Sequence, residues 1–404
     1  DPPSDQIFAP PWRNGSSSRI SVSRQIVRGT RGLGRSTFRP DLRTSMEERE
    51  LLLFSDTPEL QPSRSIITGA EKDYALCRMM TLYGLRGRVQ FPGANPVSIE
   101  WSDMPRLNQC TFFAGLKTDG CRYLLLLHVY EGEPRAVMIN RALICWEVEV
   151  WAPYSYFENE TLLDGELTWE RVSNGLRQLY LVFDAVHIRE SLREKPFMER
   201  LNRVHRHILS NLPAGLTQDS SDVEQLIVDE DKMFLASTEM RMSPKGFVAI
   251  DQLLSLWEAR GSVAHRNDGL VLVSDRPLQT GTDRWIFKWK PVESITVDVE
   301  YVVSSRRVRV RERGKDVALS HVTLEGARRS VHIEENQLLD FARHGATDGT
   351  RVLECLCRLE AKTVTLLPVR HRTDKTRANE MSTVVATMRN VLQSITAADI
   401  ASVA

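Results

Sequence analysis

The chain of 404 residues is long enough for about two to three domains, and its composition is that of a globular protein. Hydrophobic residues at 42% and charged residues at 26% exclude a chain that is disordered throughout. The 53 Lys and Arg residues balance the 53 Asp and Glu residues, so any contact with nucleic acid must come from local patches. Short apolar runs and six unevenly spaced cysteines predict a soluble protein of a reducing compartment, without a membrane partner.

Residues 1–45 differ in composition from the rest, and we call them the Arg-rich arm. The first 43 residues hold eight Arg and no Lys, with many Ser, Gly and Pro. Such a segment buries too little apolar surface to order itself. Three interpretations stay open: a flexible arm, a segment that contacts phosphates or docks on a partner, and an organelle transit peptide, against which its acidic residues count. The missing initiator Met predicts a fragment or a processed form.

Residues 46–292 mix helix and strand signals. Apolar spacing predicts helices over Glu47–Leu53, Glu71–Tyr83, Ser191–Asn211 and, twice, within Val223–Arg260, where Ser243–Gly246 separates the two. Strands are predicted at Thr111–Phe113, Tyr123–Tyr130, Val137–Ile139, Ile144–Trp151, Leu179–Val186, Leu270–Ser274 and Trp285–Trp289. Turns rich in Gly, Asp and Asn separate them, which favours an α+β domain.

Residues 293–404 differ from the preceding region in that most of their predicted elements are short strands. Short strands are predicted at Thr296–Val303, Val308–Arg313, Arg351–Leu359 and Thr363–Val369. About five short strands in about a hundred residues favour a small β-barrel of the OB type. One helix is predicted from the apolar face that runs from Met381 to Ile395. One alternative is that this helix, within residues 380–404, packs back on the first domain.

The sharpest local feature is the segment Leu116–Arg122, which places Lys117 in a predicted turn, two residues before Asp119. Taken alone, Thr-Asp-Gly is a good hairpin turn and Lys117 is an ordinary exposed lysine. A functional interpretation therefore needs partners elsewhere in the chain.

Such partners follow in order along the chain. They are the segments Asp164–Glu166, Leu181–Ala185, Asp268–Val271, Lys288–Pro291 and Arg370–Lys375. Together with the Lys117 segment they resemble motifs I, III, IIIa, IV, V and VI of the mRNA guanylyltransferases (capping enzymes), which share a covalent nucleotidyltransferase superfamily with the ATP-dependent ligases. Phe91–Ser98 is similar to the segment that precedes the nucleophile in cellular capping enzymes. The resemblance extends over roughly residues 85 to 395.

The resemblance implies a nucleotidyltransferase (adenylation-like) domain with antiparallel sheets, followed by an OB-fold domain with a terminal helix. It also implies an enzyme that transfers GMP from GTP to the 5′-diphosphate end of RNA through a lysyl-N6-GMP intermediate. The products are the GpppN cap and pyrophosphate. Lys117 matches the nucleophile of the family.

The remaining site residues are carried over from the matching motifs. Arg122 and Glu166 match ribose contacts, and Phe183 is the candidate to stack on guanine. Lys288 and Lys290 match α-phosphate contacts. The other matched positions are Asp268 and Asp298, which would organise lysines, water or metal, and Arg370, Arg372 and Lys375, which would bind the β- and γ-phosphates with Asp374 orienting them.

A lysine amine attacks only when it is deprotonated, and its reference pKa is about 10.4. We expect neighbouring Lys288 and Lys290 and a metal ion to lower the pKa of Lys117. Mg²⁺ or Mn²⁺ is implied, since triphosphate chemistry normally needs a divalent cation. A hinge near Glu293–Thr296 would close the β-domain over the triphosphate.

Two other functions stay open on the sequence alone. An ATP-dependent ligase shares the Lys-x-Asp-Gly logic but forms a lysyl-AMP, and an inactive relative would bind RNA or polymerase as a scaffold. Ala378 stands where family members often have Pro, a local turn difference. The resemblance further implies a nucleus-located protein, or a cytoplasmic one if viral. Expected partners are RNA triphosphatase and cap methyltransferase activities and RNA polymerase.

Overall fold

The computed structural model describes residues 60–62, 65–173, 175–211, 221–235, 240–335, 350–372 and 375–403. The Arg-rich arm, the predicted helix Glu47–Leu53 and Asp374 lie outside the described residues. No helix in the described ranges combines the length and the apolar character that a membrane crossing requires.

Residues 65–292 form strands and short helices in alternation. The strands are β1 (Ile66–Ile67), β2 (Asn95–Ser98), β3 (Phe112–Thr118), β4 (Cys121–Tyr130), β5 (Glu133–Asn140), β6 (Cys145–Glu147), β7 (Val150–Trp151), β8 (Thr161–Val172), β9 (Gly175–Ile188), β10 (Phe234–Leu235), β11 (Met240–Pro244), β12 (Val248–Ala249), β13 (Asn267–Ser274) and β14 (Thr282–Trp289). The helices are α1 (Gly69–Leu82), α2 (Ser155–Glu158), α3 (Phe197–His207), α4 (Ser221–Asp229) and α5 (Leu253–Glu258).

Two sheets dominate this part, and the predicted α+β class is confirmed. One sheet has seven strands in the order β1-β6-β5-β4-β8-β9-β11, and another has five in the order β12-β3-β13-β14-β2. Their pairings are antiparallel except for β9 with β11 and β2 with β14. The apolar run Leu124–Leu127 of β4 is covered on both faces, since Leu124 and Leu126 face α1 and Leu125 and Leu127 face the opposite core. That double burial explains why β4 reads as a continuous apolar run.

Several boundaries differ from the sequence prediction. Ile144–Trp151 divides into β6 and β7, and the helix predicted over Ser191–Asn211 is shorter because Pro196 sets its start. Ser243–Gly246 lies between helices α4 and α5, as predicted, but Ser243 and Pro244 belong to β11, which pairs in parallel with β9. Strand β8 escaped prediction because Asp164 and Glu166 interrupt its apolar pattern.

The chain beyond residue 292 builds a second sheet-based core. Its strands are β15 (Thr296–Val302), β16 (Arg307–Glu312), β17 (Lys315–Ala318), β18 (His321–Leu324), β19 (Ala327–Ile333), β20 (Thr350–Leu359) and β21 (Thr363–His371). They form one sheet in the order β17-β16-β15-β20-β21-β19-β18, consistent with the predicted OB-type barrel, although it has seven strands instead of about five. Val299, Val310, Leu366 and other apolar residues fill its interior.

The helix predicted from the apolar face Met381–Ile395 corresponds to α6 (Met381–Gln393), and a further helix, α7 (Ala397–Val403), follows it. Ser394, with a φ of 48°, ends α6 in the left-handed region. The α6 helix packs on the second core, whereas Ile395 and α7 pack with β3 and β14 of the first part. The indole N–H of buried Trp289 donates to the carbonyl of Ile395 at 2.7 Å. The C-terminal segment thus belongs to both cores.

Candidate active site

Lys117 is the next-to-last residue of β3, so its predicted position in a turn is wrong. The neighbouring strand β13 pairs with β3, and the register shifts between Asn267 and Leu270. The shift places Asp268 beside the lysine, with 2.7 Å between Lys117 Nζ and Asp268 Oδ1. Gly269 follows with a φ of 155°, and a Cβ there would lie 2.0 Å from the carbonyl oxygen of Trp289. Only glycine fits this close approach of β13 to β14.

Asp268 links the nucleophile candidate to the second basic motif. Its other oxygen, Oδ2, lies 2.6 Å from Lys290 Nζ. Burial alone would raise the pKa of Asp268, but Lys117 and Lys290 hold that pKa below its ordinary value. Burial, Lys117 and Lys290 together lower the pKa of Lys288, which marks Lys288 as part of the same cationic group. The structure therefore brings together four of the predicted residues.

The expected lowering of the Lys117 pKa is not found. Burial disfavours the charged amine, yet the carboxylate of Asp268 outweighs it and raises the pKa of Lys117. While Asp268 pairs with Lys117, the Lys117 amine is therefore protonated at neutral pH and cannot attack. A positive charge that draws Asp268 away from Lys117 would lower the pKa again.

A divalent ion supported by substrate phosphates fits these residues. The described part of the chain contains no group of three or more His, Cys, Asp or Glu side chains that could hold a metal ion. Mg²⁺, however, commonly uses one or two protein carboxylates together with substrate phosphate oxygens. Asp268 is such a carboxylate, 23% exposed and placed between two lysines. The donor set suits an ion that arrives with a nucleotide.

Lys245 is a buried cation that the sequence prediction missed. It directly follows β11, and its Nζ donates to the Thr118 hydroxyl at 3.0 Å. It also lies 5.9 Å from the centre of the Phe183 ring. Burial lowers the pKa of Lys245 and raises the pKa of Glu166, while each group opposes the shift of the other. No local pattern marked Lys245, because its position depends on the parallel pairing of β11 with β9.

Arg122 lies between two aromatic rings. Its guanidinium carbon is 5.5 Å from the ring centre of Phe91 and 5.3 Å from that of Phe183. The guanidinium donates to both oxygens of Asp164, at 2.8 and 2.5 Å, and to the carbonyl of Ala94 at 2.5 Å. Burial opposes the charge, but Asp164 raises the pKa of Arg122. The guanidinium of Arg122 is thus held between the rings of Phe91 and Phe183. The contact of Arg122 with the ribose stays a prediction.

Arg141 is a second cation that was not predicted. It lies in the turn after β5, donates to Asn95 Oδ1 at 3.0 Å and approaches Phe91 within 5.8 Å. Its charge contributes to lowering the pKa of Lys288. A lone Arg in a turn carries no sequence signal for such a role.

The last motif forms a separate cluster on the second sheet. Arg372 NH1 lies 3.1 Å from Asp298 Oδ1, and Lys375 pairs with the other oxygen of Asp298. Arg370 Nε donates to Glu354 Oε2 at 2.6 Å. Asp298 thus pairs with two cations of the last motif, and its predicted place near the phosphates stays a prediction.

Comparison with known proteins identifies related sequences. Residues 65–292 match the family model described as mRNA capping enzyme, catalytic domain. An mRNA-capping enzyme subunit alpha of Schizosaccharomyces pombe is 27% identical over 327 residues, covering 76% of this chain and 76% of the relative. The subunit of the same name from Neurospora crassa is 25% identical and covers 83% of this chain and 90% of its own. An mRNA-capping enzyme of Mus musculus is 26% identical over 52% of this chain and 34% of its own length.

Solved structures give a weaker likeness. The ATP-dependent DNA ligase from bacteriophage T7, in complex with ATP, matches with a TM-score of 0.28 and 12% identity. The match covers 69% of this chain and 98% of the ligase. At that score no conclusion is drawn from the likeness.

Proposed function

Since the chain belongs to the mRNA capping enzyme family, we propose that it is an mRNA guanylyltransferase whose covalent intermediate forms on Lys117. The choice of Lys117 as the attachment site rests on one observation: Asp268 bridges Lys117 and Lys290. The bridge places Lys117 beside a second cation, which can hold a phosphate of a nucleoside triphosphate while Lys117, once deprotonated, attacks it.

In the first step the Lys117 amine, once deprotonated, attacks the α-phosphorus of GTP. A P–N bond forms, the bond to the bridging oxygen breaks, and pyrophosphate leaves. Lys288 and Lys290 would bind the α-phosphate oxygens and stabilise the charge that develops there. Asp268 would hold a divalent ion, Mg²⁺ or Mn²⁺, which supplies charge neutralisation on the phosphates. An ion held by Asp268 would compete with Lys117 for that carboxylate and so would weaken the ion pair of Lys117.

In the second step an oxygen of the RNA 5′-diphosphate attacks the phosphorus of the lysyl-GMP. The P–N bond breaks, a P–O bond forms, and the amine of Lys117 is regenerated. The product is a GpppN end. Phe183 and the neighbouring polar groups Glu166 and Lys245 would hold the guanosine during both steps, with Glu166 and Arg122 towards the ribose.

We also propose the division into a nucleotidyltransferase domain, residues 46–292, and an OB domain from residue 293. Arg370, Arg372 and Lys375, with Asp374, would engage the β- and γ-phosphates when the OB domain closes about Glu293–Thr296. The proposed partners are an RNA triphosphatase activity, which would supply the 5′-diphosphate end, a cap methyltransferase activity, which would act on the product, and RNA polymerase. The nucleus is the proposed location.

The test is incubation of the purified chain with α-labelled GTP or ATP and Mg²⁺ or Mn²⁺, followed by denaturing gel electrophoresis. We expect a labelled protein band with GTP and transfer of the label to RNA ending in a 5′-diphosphate. Labelling with ATP alone would assign the chain to ligase chemistry. A folded protein that takes no label with either nucleotide would contradict the enzymatic proposal.

Lys245 offers a test of base selection. Guanine presents the O6 acceptor where adenine presents an amino donor, so a cation beside the Phe183 ring favours guanine. We expect Lys245→Met to lower the ratio of labelling by GTP to labelling by ATP about 10- to 100-fold. Lys232→Met is the matched control, because Lys232 pairs with Glu230 at 2.8 Å, away from Phe183. An unchanged nucleotide ratio would exclude Lys245 from base recognition.

A further inference from the structure

The acidic residue Glu354 lies on β20 and pairs with Arg370 of the last motif, Arg370–Lys375. None of the sequence motifs includes Glu354. Strands β15, β20 and β21 are neighbours, and their register aligns Asp298 with Glu354 and Glu354 with Arg370. Two carboxylates and one arginine therefore stand in a row across the sheet. Asp298 pairs with Arg372 and Lys375. Glu354 pairs with Arg370, and its Oε2 also lies 3.6 Å from Arg372 NH1.

Glu354 is itself fixed in place. Its side chain is only 14% exposed, and its Oε1 accepts a hydrogen bond from the Thr296 hydroxyl at 2.8 Å. Burial would raise the pKa of Glu354, but Arg370, Thr296 and Arg372 lower it, so the carboxylate is ionised at neutral pH. Such a fixed, charged acceptor can set the orientation of the arginine that it binds.

The Arg370 side chain is both paired and exposed. Glu354 holds Arg370 through Nε, while the arginine side chain as a whole is 54% exposed. The two terminal amino groups are the donors that form a bidentate contact with phosphate oxygens. A pair with so exposed a partner adds little to stability, so its effect on orientation is the larger one.

We propose that Glu354 is a positioning residue that directs the guanidinium of Arg370 towards the β- and γ-phosphates of GTP. This inference rests on the proposed function, because it concerns the triphosphate of the guanylylation step. It adds a second acid to the last motif, in which Asp298 holds Arg372 and Lys375 and Glu354 holds Arg370. The effect belongs to the step that releases pyrophosphate, and the transfer of GMP to RNA does not need it.

The experiment compares Glu354→Gln, Arg370→Ala and the double variant in single-turnover formation of the Lys117 adduct over a range of GTP concentrations. We expect Glu354→Gln to reduce the rate at low GTP about tenfold, with a smaller effect at saturation. In the Arg370→Ala background the same change should cost at most about twofold further, because only the longer contact of Glu354 with Arg372, at 3.6 Å, remains. Transfer of GMP from the isolated adduct to 5′-diphosphate RNA should stay within about twofold of wild type.

Glu335→Gln is the matched control, since Glu335 follows β19 and pairs with the exposed Arg306 at 3.5 Å. If Glu354→Gln does not fold, Thr296→Val removes the hydroxyl that holds Glu354 and should give a weaker effect of the same kind. Wild-type kinetics in Glu354→Gln, independent losses in the double variant, or an equal loss in the transfer to RNA would overturn the inference. A wild-type chain that takes no label would overturn the proposed function and this inference with it.

Discussion

Replacing Lys117 by Ala is expected to reduce the covalent label from GTP to background, a loss on the order of 10³-fold or more. No other amine can take its place in the same geometry, because the Lys117 Nζ is set by β3 and by its contact with Asp268 at 2.7 Å. The measurement is the initial rate of labelled-band formation at saturating GTP and divalent ion. Lys117→Arg should be as inactive, since its guanidinium keeps the charge beside Asp268 but does not deprotonate.

The control for Lys117 is a lysine with an ordinary environment. Lys195 is 46% exposed and pairs with Glu199 one helical turn away, so Lys195→Ala should label like the wild type. Melting temperatures of all variants separate a lost nucleophile from a lost fold. Label that persists in Lys117→Ala would move the attachment site to another residue.

Asp268→Asn is expected to have the second-largest effect, with two parts of opposite sign. The wild-type carboxylate raises the pKa of Lys117, so removing its charge increases the deprotonated fraction at any given pH. The rising limb of the pH–rate profile for adduct formation should therefore move to lower pH. The maximum rate should fall, and the requirement for Mg²⁺ or Mn²⁺ should rise about 10- to 100-fold, because the carboxylate that supports the ion is gone.

Two measurements separate these parts. The pH–rate profile at a divalent-ion concentration well below saturation, where Asp268 still pairs with Lys117, reports the Lys117 ionisation, and a divalent-ion titration at fixed pH reports the binding of the ion. Asp251→Asn, at an exposed aspartate of a short 3₁₀ turn, is the control for both. A profile that moves to higher pH, or does not move, would contradict the assignment of Asp268 as the group that keeps Lys117 protonated.

The sequence predicted those site residues that lie in contiguous motifs. Lys117, Asp268, Lys288 and Lys290 were recognisable because each stands within a short pattern, and strand pairing then brings them together. Lys245, Arg141 and Glu354 were not, because each acts through a neighbour that only the sheet register supplies. The predicted direction of the Lys117 pKa shift was wrong for a related reason. The contact between Lys117 Nζ and Asp268 Oδ1 depends on the irregular register of β13, which the sequence does not reveal.

Secondary structure followed the same division. A continuous apolar run identified β4, and helical apolar spacing identified α1. It missed β8, whose buried Asp164 is neutralised by Arg122 from another strand. It also carried α6 two residues too far, to Ile395, because Ile395 continues the apolar spacing of α6 while packing in a different core.

The C-terminal segment has a consequence for the order in which the protein can fold. The core around Phe112, Phe287 and Trp289 is completed by Ile395 and Ile400, which leave the ribosome only after the whole second sheet has been synthesised. The nucleotide-binding half therefore cannot finish folding while it is being made, although it precedes the barrel in the chain. We expect nascent chains arrested before residue 394 to expose this core to protease, and chains extended past residue 403 to protect it.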